Sequence, residues 1–276
     1  MRVIINADDF GLNTRVNFEI ERCIHEGLIT STTLMADGEG FADAIRISKR
    51  FPYISYGVHL TLDELTSLSK SPVLNQYGLT DENGLFIKGG VFHVKEWTKE
   101  LKEAVYRELS FQIEKVIASG INPTHFDGHH HCHTITALHE VIIALSKKYG
   151  ITKVRMPLDV RTIDMIVHHI YPASRCNNTS GNSDTTNAQI NHSILSRIMW
   201  YVSSYNNALF FKRHFNTTAF CCSVSTFCKN ASYMERAFSQ KTIELMCHPG
   251  NCDYESETNQ LVLINRNIRR ITYHNI

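Results

Sequence analysis

Val3-Ile4-Ile5-Asn6-Ala7-Asp8-Asp9-Phe10-Gly11 begins as a run of β-branched residues and gives way to two acids. A short apolar run of this kind suits a strand buried on both faces, as in a parallel sheet. The acids then stand where that strand meets a loop. The pattern repeats along the chain. Val16, Ile20, Cys23 and Ile24 fall at helical spacing, and Gly27 can end that helix. Thr30–Met35 reads as a strand, Phe41, Ala44 and Ile45 mark a short helix, and Tyr56–Leu62 alternates as a strand. Trp97, Leu101, Val105, Leu109, Ile113, Val116 and Ile117 predict a long amphipathic helix before a strand at Thr124–Asp127. Leu138, Val141, Ile142 and Leu145 predict the next helix, and Thr152–Met156 a fifth strand stopped by Pro157. Ile194, Leu195, Ile198 and Val202 give a helix, Thr217–Val224 and Ile243–Cys247 two strands, and Leu261, Ile264 and Ile268 a final helix.

Residues 63–92 and 173–192 are polar and lack periodicity, so both read as long loops. About seven alternating units predict an α/β fold: one domain over residues 1–276, a distorted (β/α) barrel of parallel strands. Chemistry in such folds gathers at the C-terminal ends of the strands. Asp8, Asp9, His59, His125, Asp127 and His248 each follow the apolar body of a predicted strand. The fold would therefore bring together residues that are far apart in the chain.

With 276 residues, 43% hydrophobic and 20% charged, the chain can bury a large core. The formal net charge is +1 and no basic stripe appears, which leaves nucleic acid without an electrostatic footprint. Arg266, Arg269 and Arg270 read as a solvated helix face. No stretch approaches the roughly 20 apolar residues of a membrane span. The apolar run at Val3–Ile5 is too short for a signal peptide, so a cytoplasmic location is expected. Eight cysteines without a CxxC pair read as buried thiols rather than a zinc site.

Adjacent carboxylates repel unless a cation or a shared proton relieves them. Asp8-Asp9 could thus pair one metal ligand with one free base, although a helix N-cap beside a solvated neighbour explains the pair as simply. His59, between Val58 and Leu60, suits a hydrogen-bonded core histidine equally well. The stretch Thr124-His125-Phe126-Asp127-Gly128-His129-His130-His131-Cys132-His133 is harder to explain blandly. It holds five His and one Asp within nine residues, and neutral imidazole is a common metal ligand. One ion cannot use them all, so some must orient others. His248 ends an apolar strand before Pro249-Gly250, where it is either a turn residue or a proton donor.

Together these motifs resemble the YdjC-like family of carbohydrate deacetylases. Asn6–Gly11, Ile29–Thr33, Gly57–Thr61, Thr124–His133, Val154–Pro157 and Met246–Gly250 carry the resemblance, in order along the chain. It implies a deacetylase-type barrel with one divalent ion on Asp9, His59 and His125; two His with one carboxylate suit Zn2+ or Mg2+, and also Ni2+, Co2+ or Mn2+. It implies Asp8 as general base and His248 as general acid. An acetylated sugar substrate and a homodimer are implied too. Asp127, His129 and His130 are expected to orient ligands or touch substrate. Arg155 is expected to neutralise a carboxylate, bind a substrate oxygen or form a structural ion pair. Residues 63–92 and 173–192 are candidate walls of a sugar site. Two other readings compete. A glycosidic-bond hydrolase would need two carboxyl groups about 5–10 Å apart flanking the bond, whereas here the two acids are adjacent. A non-catalytic sugar- or metal-binding protein would need no base or acid, yet Asp8 and His248 are both present.

Overall fold

β1 (Arg2–Phe10) is central to the sheet, with every residue from Val3 to Phe10 buried. The computed structural model describes residues 1–156, 194–264 and 268–276. β1 is flanked by β2 (Ser31–Leu34) on one side and β6 (Thr242–Cys247) on the other, and all pairing is parallel. β3 (Ser55–Leu60), β4 (Phe126–Gly128) and β5 (Phe220–Ser223) complete the order β4-β3-β2-β1-β6-β5. A two-residue β7 (Arg269–Arg270) pairs with the start of β1. The expected strand at Thr152–Met156 makes only single-residue bridges, Val154 to Phe126 and Lys153 to Asn216. Those bridges carry the β4 edge round towards β5, which gives a distorted barrel of parallel strands. Residues 173–192 lie outside the described residues.

Helices cover the outside of the sheet. They are α1 (Thr14–His25), α2 (Phe41–Ser48), α3 (Pro72–Gln76), α4 (Lys99–Ala118), α5 (His139–Tyr149), α6 (Ile194–His214), α7 (Val224–Ala237) and α8 (Glu255–Leu261). Asn13 caps α1 by accepting from Val16 N at 3.0 Å, and Val16, Ile20, Cys23 and Ile24 form its buried stripe. α8 stops at Leu261, so the expected final helix is shorter than its apolar pattern, although Ile264 is still buried. None of the described helices is long and apolar enough to cross a membrane. The seven described cysteines are free, and five are buried.

Two departures from regularity position the site. Between Ala7 and Phe10, β1 advances three residues while β2 advances two, from Thr32 to Leu34. The extra residue is a bulge, and Asp9 takes a φ of 67° there. In a regular strand, neighbours face opposite sides. The bulge breaks that alternation and lets Asp8 and Asp9 both serve one end of the barrel.

The second departure is residues 63–92, which the structure shows to be more ordered than their sequence suggests. They contain α3, the bridges Thr66–Leu85 and Thr80–Phe86, and most of a 3-10 turn at Gly90–His93. Glu108, fully buried on α4, accepts from Ser67 Oγ at 2.6 Å, Ser69 N at 2.7 Å and Leu68 N at 3.0 Å. Gln112, one turn on, donates to Glu108 at 2.9 Å and exchanges two bonds with the backbone of Thr61, also at 2.9 Å. One helix thus holds the segment against the end of β3.

Candidate active site

The registers of β1, β2, β3 and β4 bring Asp9, His59, Asp127 and Thr33 to one end of the sheet. His59 and Asp127 are direct partners across β3 and β4. His59 Nδ1 bonds Asp127 Oδ1 at 2.6 Å, which leaves His59 Nε2 facing Asp9 Oδ1 at 3.3 Å. His129, in the turn after β4, brings Nδ1 to 3.0 Å from Asp9 Oδ1 and 3.4 Å from His59 Nε2. All three residues are buried. Burial alone would raise the Asp9 carboxyl, but hydrogen bonds from His129 and His59 hold it well below the usual range. Burial would lower His59, yet the Asp127 and Asp9 carboxylates push it well above an ordinary imidazole.

The arrangement suits a divalent cation. Asp9 Oδ2 is buried with no hydrogen-bond partner among the described residues. Three donor atoms already converge, as an open three-ligand site requires. His59 also has the outer carboxylate partner typical of metal-bound histidines, namely Asp127.

His125 does not join this set. Its ring is fully buried in the barrel interior, stacked on Tyr273 with centroids 3.6 Å apart. Nδ1 lies 2.8 Å from Thr124 Oγ1, and Nε2 lies 3.5 Å from Ser31 Oγ. It also explains Gly57: a Cβ there would meet the His125 ring at 2.6–2.8 Å. Burial drives the His125 pKa down to about 3, so it packs as a neutral ring. His125, expected as third ligand, thus stands apart from Asp9 and His59, and the ring the fold brings beside them is His129, expected to orient ligands or touch substrate. His130 adopts a left-handed φ of 46° and pairs with Asp63 instead. Glu64 Oε2 lies 3.4 Å from His129 Nε2, and its Oε1 lies 2.9 Å from Lys88. His129 and Lys88 hold the Glu64 carboxyl down at about 2.

Asp8 sits beside this cluster. Arg155 grips it with two bonds, Nη1 to Oδ2 at 2.7 Å and Nη2 to Oδ1 at 2.6 Å. Arg155 Nη2 also meets Asp127 Oδ2 at 2.8 Å, and Nε donates to Glu244 Oε1 at 2.8 Å. Arg155 is fully buried, and its guanidinium faces the three carboxylates of Asp8, Asp127 and Glu244. Burial raises the Asp8 carboxyl, but the Arg155 charge outweighs it and the net shift is downward. Asn6 Nδ2 donates to Asp8 Oδ1 at 2.8 Å. On the far side, His248 Nε2 lies 3.8 Å from Asp8 Oδ2. Its Nδ1 is held by Glu257 Oε2 at 3.1 Å, and its ring stacks on Tyr254. Burial lowers His248, but Glu257 and the Asp8 charge raise it overall, which favours the proton-carrying form.

Asn6 and Glu244 are legible in the sequence as polar residues inside otherwise apolar runs, whereas Thr33 lies in the polar run Ser31-Thr32-Thr33 and has no such mark. Glu257 lies in a polar stretch with no pattern to mark it.

A parallel α/β barrel with a buried Asp-His-His cluster at its strand ends, an Arg-held acid beside it and a paired histidine opposite defines the class. The chain belongs to the YdjC-like family, whose model matches residues 2–272. A protein named carbohydrate deacetylase from Brevibacillus brevis is 34% identical over 182 residues, covering 62% of this chain and 70% of that one. Relatives of the same name from Clostridium beijerinckii and Vibrio cholerae are 37% and 35% identical. The matches to these two cover 55% of this chain and only 58% and 57% of their own lengths. A solved structure from Enterococcus faecalis V583, described provisionally as a cellobiose-phosphate cleavage protein, shares the fold. Its TM-score is 0.68 at 22% identity, over 99% of this chain and 98% of that one.

Proposed function

We propose that the chain is a metal-dependent hydrolase that removes an N-acetyl group from an acetylated sugar or oligosaccharide. The observation that carries this reading is the convergence of Asp9 Oδ1, His59 Nε2 and His129 Nδ1 within 3.0–3.4 Å of one another, flanked by a clamped Asp8 and a paired His248. The relatives named carbohydrate deacetylase support the substrate class. Asp9, His59 and His129 would hold one divalent ion, and their mixed oxygen and nitrogen donors suit Mg2+ or Zn2+. Such an ion polarises a carbonyl and acidifies water.

The chain's own groups divide the proton work. Asp8, kept ionised by Arg155, accepts the proton of the attacking water. His248, oriented by Glu257, gives a proton to the departing amine, which is a poor leaving group as an anion. Acetate and the free amino sugar result. Asp127 fixes the tautomer of His59. A homodimer is the assembly that the family resemblance supports.

The test is acetate release from a panel of N-acetylated sugars by metal-stripped protein, with and without added divalent ions. Acetate should appear only with metal. Asp8→Asn should keep the metal and lose about 10²–10⁴-fold in turnover. No acetate from any sugar, or reducing ends without acetate, would overturn the reading.

A further inference from the structure

The base proposed above depends on the geometry of one guanidinium, and that guanidinium is held from below. Arg155 Nη1 and Nη2 face Asp8, and its Nε edge is occupied by Glu244 Oε1 at 2.8 Å. Glu244 comes from the middle of β6 and is fully buried. Its other oxygen accepts from the Tyr273 hydroxyl at 2.5 Å. Tyr273 is also fully buried, three residues from the last residue of the sequence, Ile276.

Several contacts fix Tyr273 under the sheet. Its N donates to Ser55 Oγ at 3.1 Å, at the start of β3. Its carbonyl accepts from Lys153 Nζ at 2.5 Å. Its ring stacks on His125, and Ile4 and Ile271 pack with it. Ser55 begins β3 and His59 lies next to its last residue, so the tyrosine enters the barrel from the end opposite the candidate active site.

A guanidinium is planar and rigid, so fixing its Nε edge fixes where its two Nη groups point. We infer that Tyr273 is a positioning residue for the reaction: through Glu244 and Arg155, its hydroxyl holds Asp8 in the orientation that receives the proton from water. The inference rests on the functional reading above for its effect on turnover. The geometric claim stands separately.

Tyr273→Phe removes one oxygen and keeps the stacked ring. The holoenzyme variant should lose about ten-fold in kcat, as expected for a misplaced reacting group. KM should stay within about two-fold and the metal content should not change. Ile271→Val disturbs the same tail without touching the hydroxyl, and should keep the wild-type kcat even where it lowers Tm. A crystal structure of Tyr273→Phe should show one of the two Asp8–Arg155 bonds lost. Wild-type kcat in folded Tyr273→Phe, or an equal fall in Ile271→Val, overturns the inference. So does a variant structure with both bonds intact. If Tyr273→Phe does not accumulate folded, Ser55→Ala loosens the seat of the same residue. It should lower kcat about two- to five-fold, and an unchanged kcat there counts against the proposal. Wild-type protein that releases no acetate defeats the functional reading alone. The Asp8–Arg155 geometry in the Tyr273→Phe crystal still decides the positioning role.

Discussion

His125 and His129 are four residues apart, share one His-rich motif and do different things. His129 points Nδ1 at Asp9 and His59, whereas His125 lies flat on Tyr273 in a neutral, buried layer. Metal analysis separates them. His129→Ala should lose the bound divalent ion. His125→Gln should retain about one ion per chain and instead unfold at lower denaturant, by about 1–3 kcal/mol for a disturbed, well-packed core position. Equal metal loss in both variants would return His125 to the ligand set. The motif could show that metal chemistry lay in this stretch. It could not say which ring, because that depends on where the chain turns after Gly128, and His130 and His131 make that turn with left-handed φ angles.

At the scale of elements, α4 does more than cover the sheet. Its apolar stripe of Leu101, Val105, Leu109, Ile113 and Val116 was plain from spacing. Glu108 and Gln112 lie buried on the same helix and were not expected there. Their partners are backbone and hydroxyl groups of Thr61 and residues 67–69, fixed only once the helix packs against β3. Glu108→Ala would take the acceptor from two backbone N–H groups, one hydroxyl and the Gln112 amide, at about 1–3 kcal/mol for each group left unpaired. The expected outcome is selective opening of residues 63–92, seen as faster proteolysis within that segment while the rest of the barrel stays protected. Cleavage no faster than in the wild type would show that other contacts hold the segment.

For the whole molecule, the buried imidazoles set an acid limit to stability. Burial holds His125 and His133 down to about 3, from 6.5 in an exposed chain. Between those values the unfolded chain binds more protons than the folded one, so stability falls as pH drops from about 6.5 towards about 3. With divalent ion saturating, the urea midpoint of the wild type should decline from about pH 6.5 to about pH 5. In His125→Gln the decline should be shallower, because one of the two neutral rings is gone. An equal slope in both proteins would show that other groups govern the acid limb.

Alternating apolar runs and helical stripes were enough to predict parallel strands and a distorted barrel, because strand burial and helix faces are written in local periodicity. They also placed Asp8, Asp9, His59, Asp127 and His248 at strand ends, and the family motifs added their order. Tertiary structure alone decided the rest. It bulged β1 so that two adjacent acids face one end of the barrel, set His129 rather than His125 beside Asp9 and His59, and turned Arg155 inward onto Asp8. It also recruited Glu257 and Tyr273 from the last 20 residues. These outcomes depend on which buried charges meet which partners across the barrel. Such pairings are set by distances of about 3 Å between remote segments, and no local pattern encodes them.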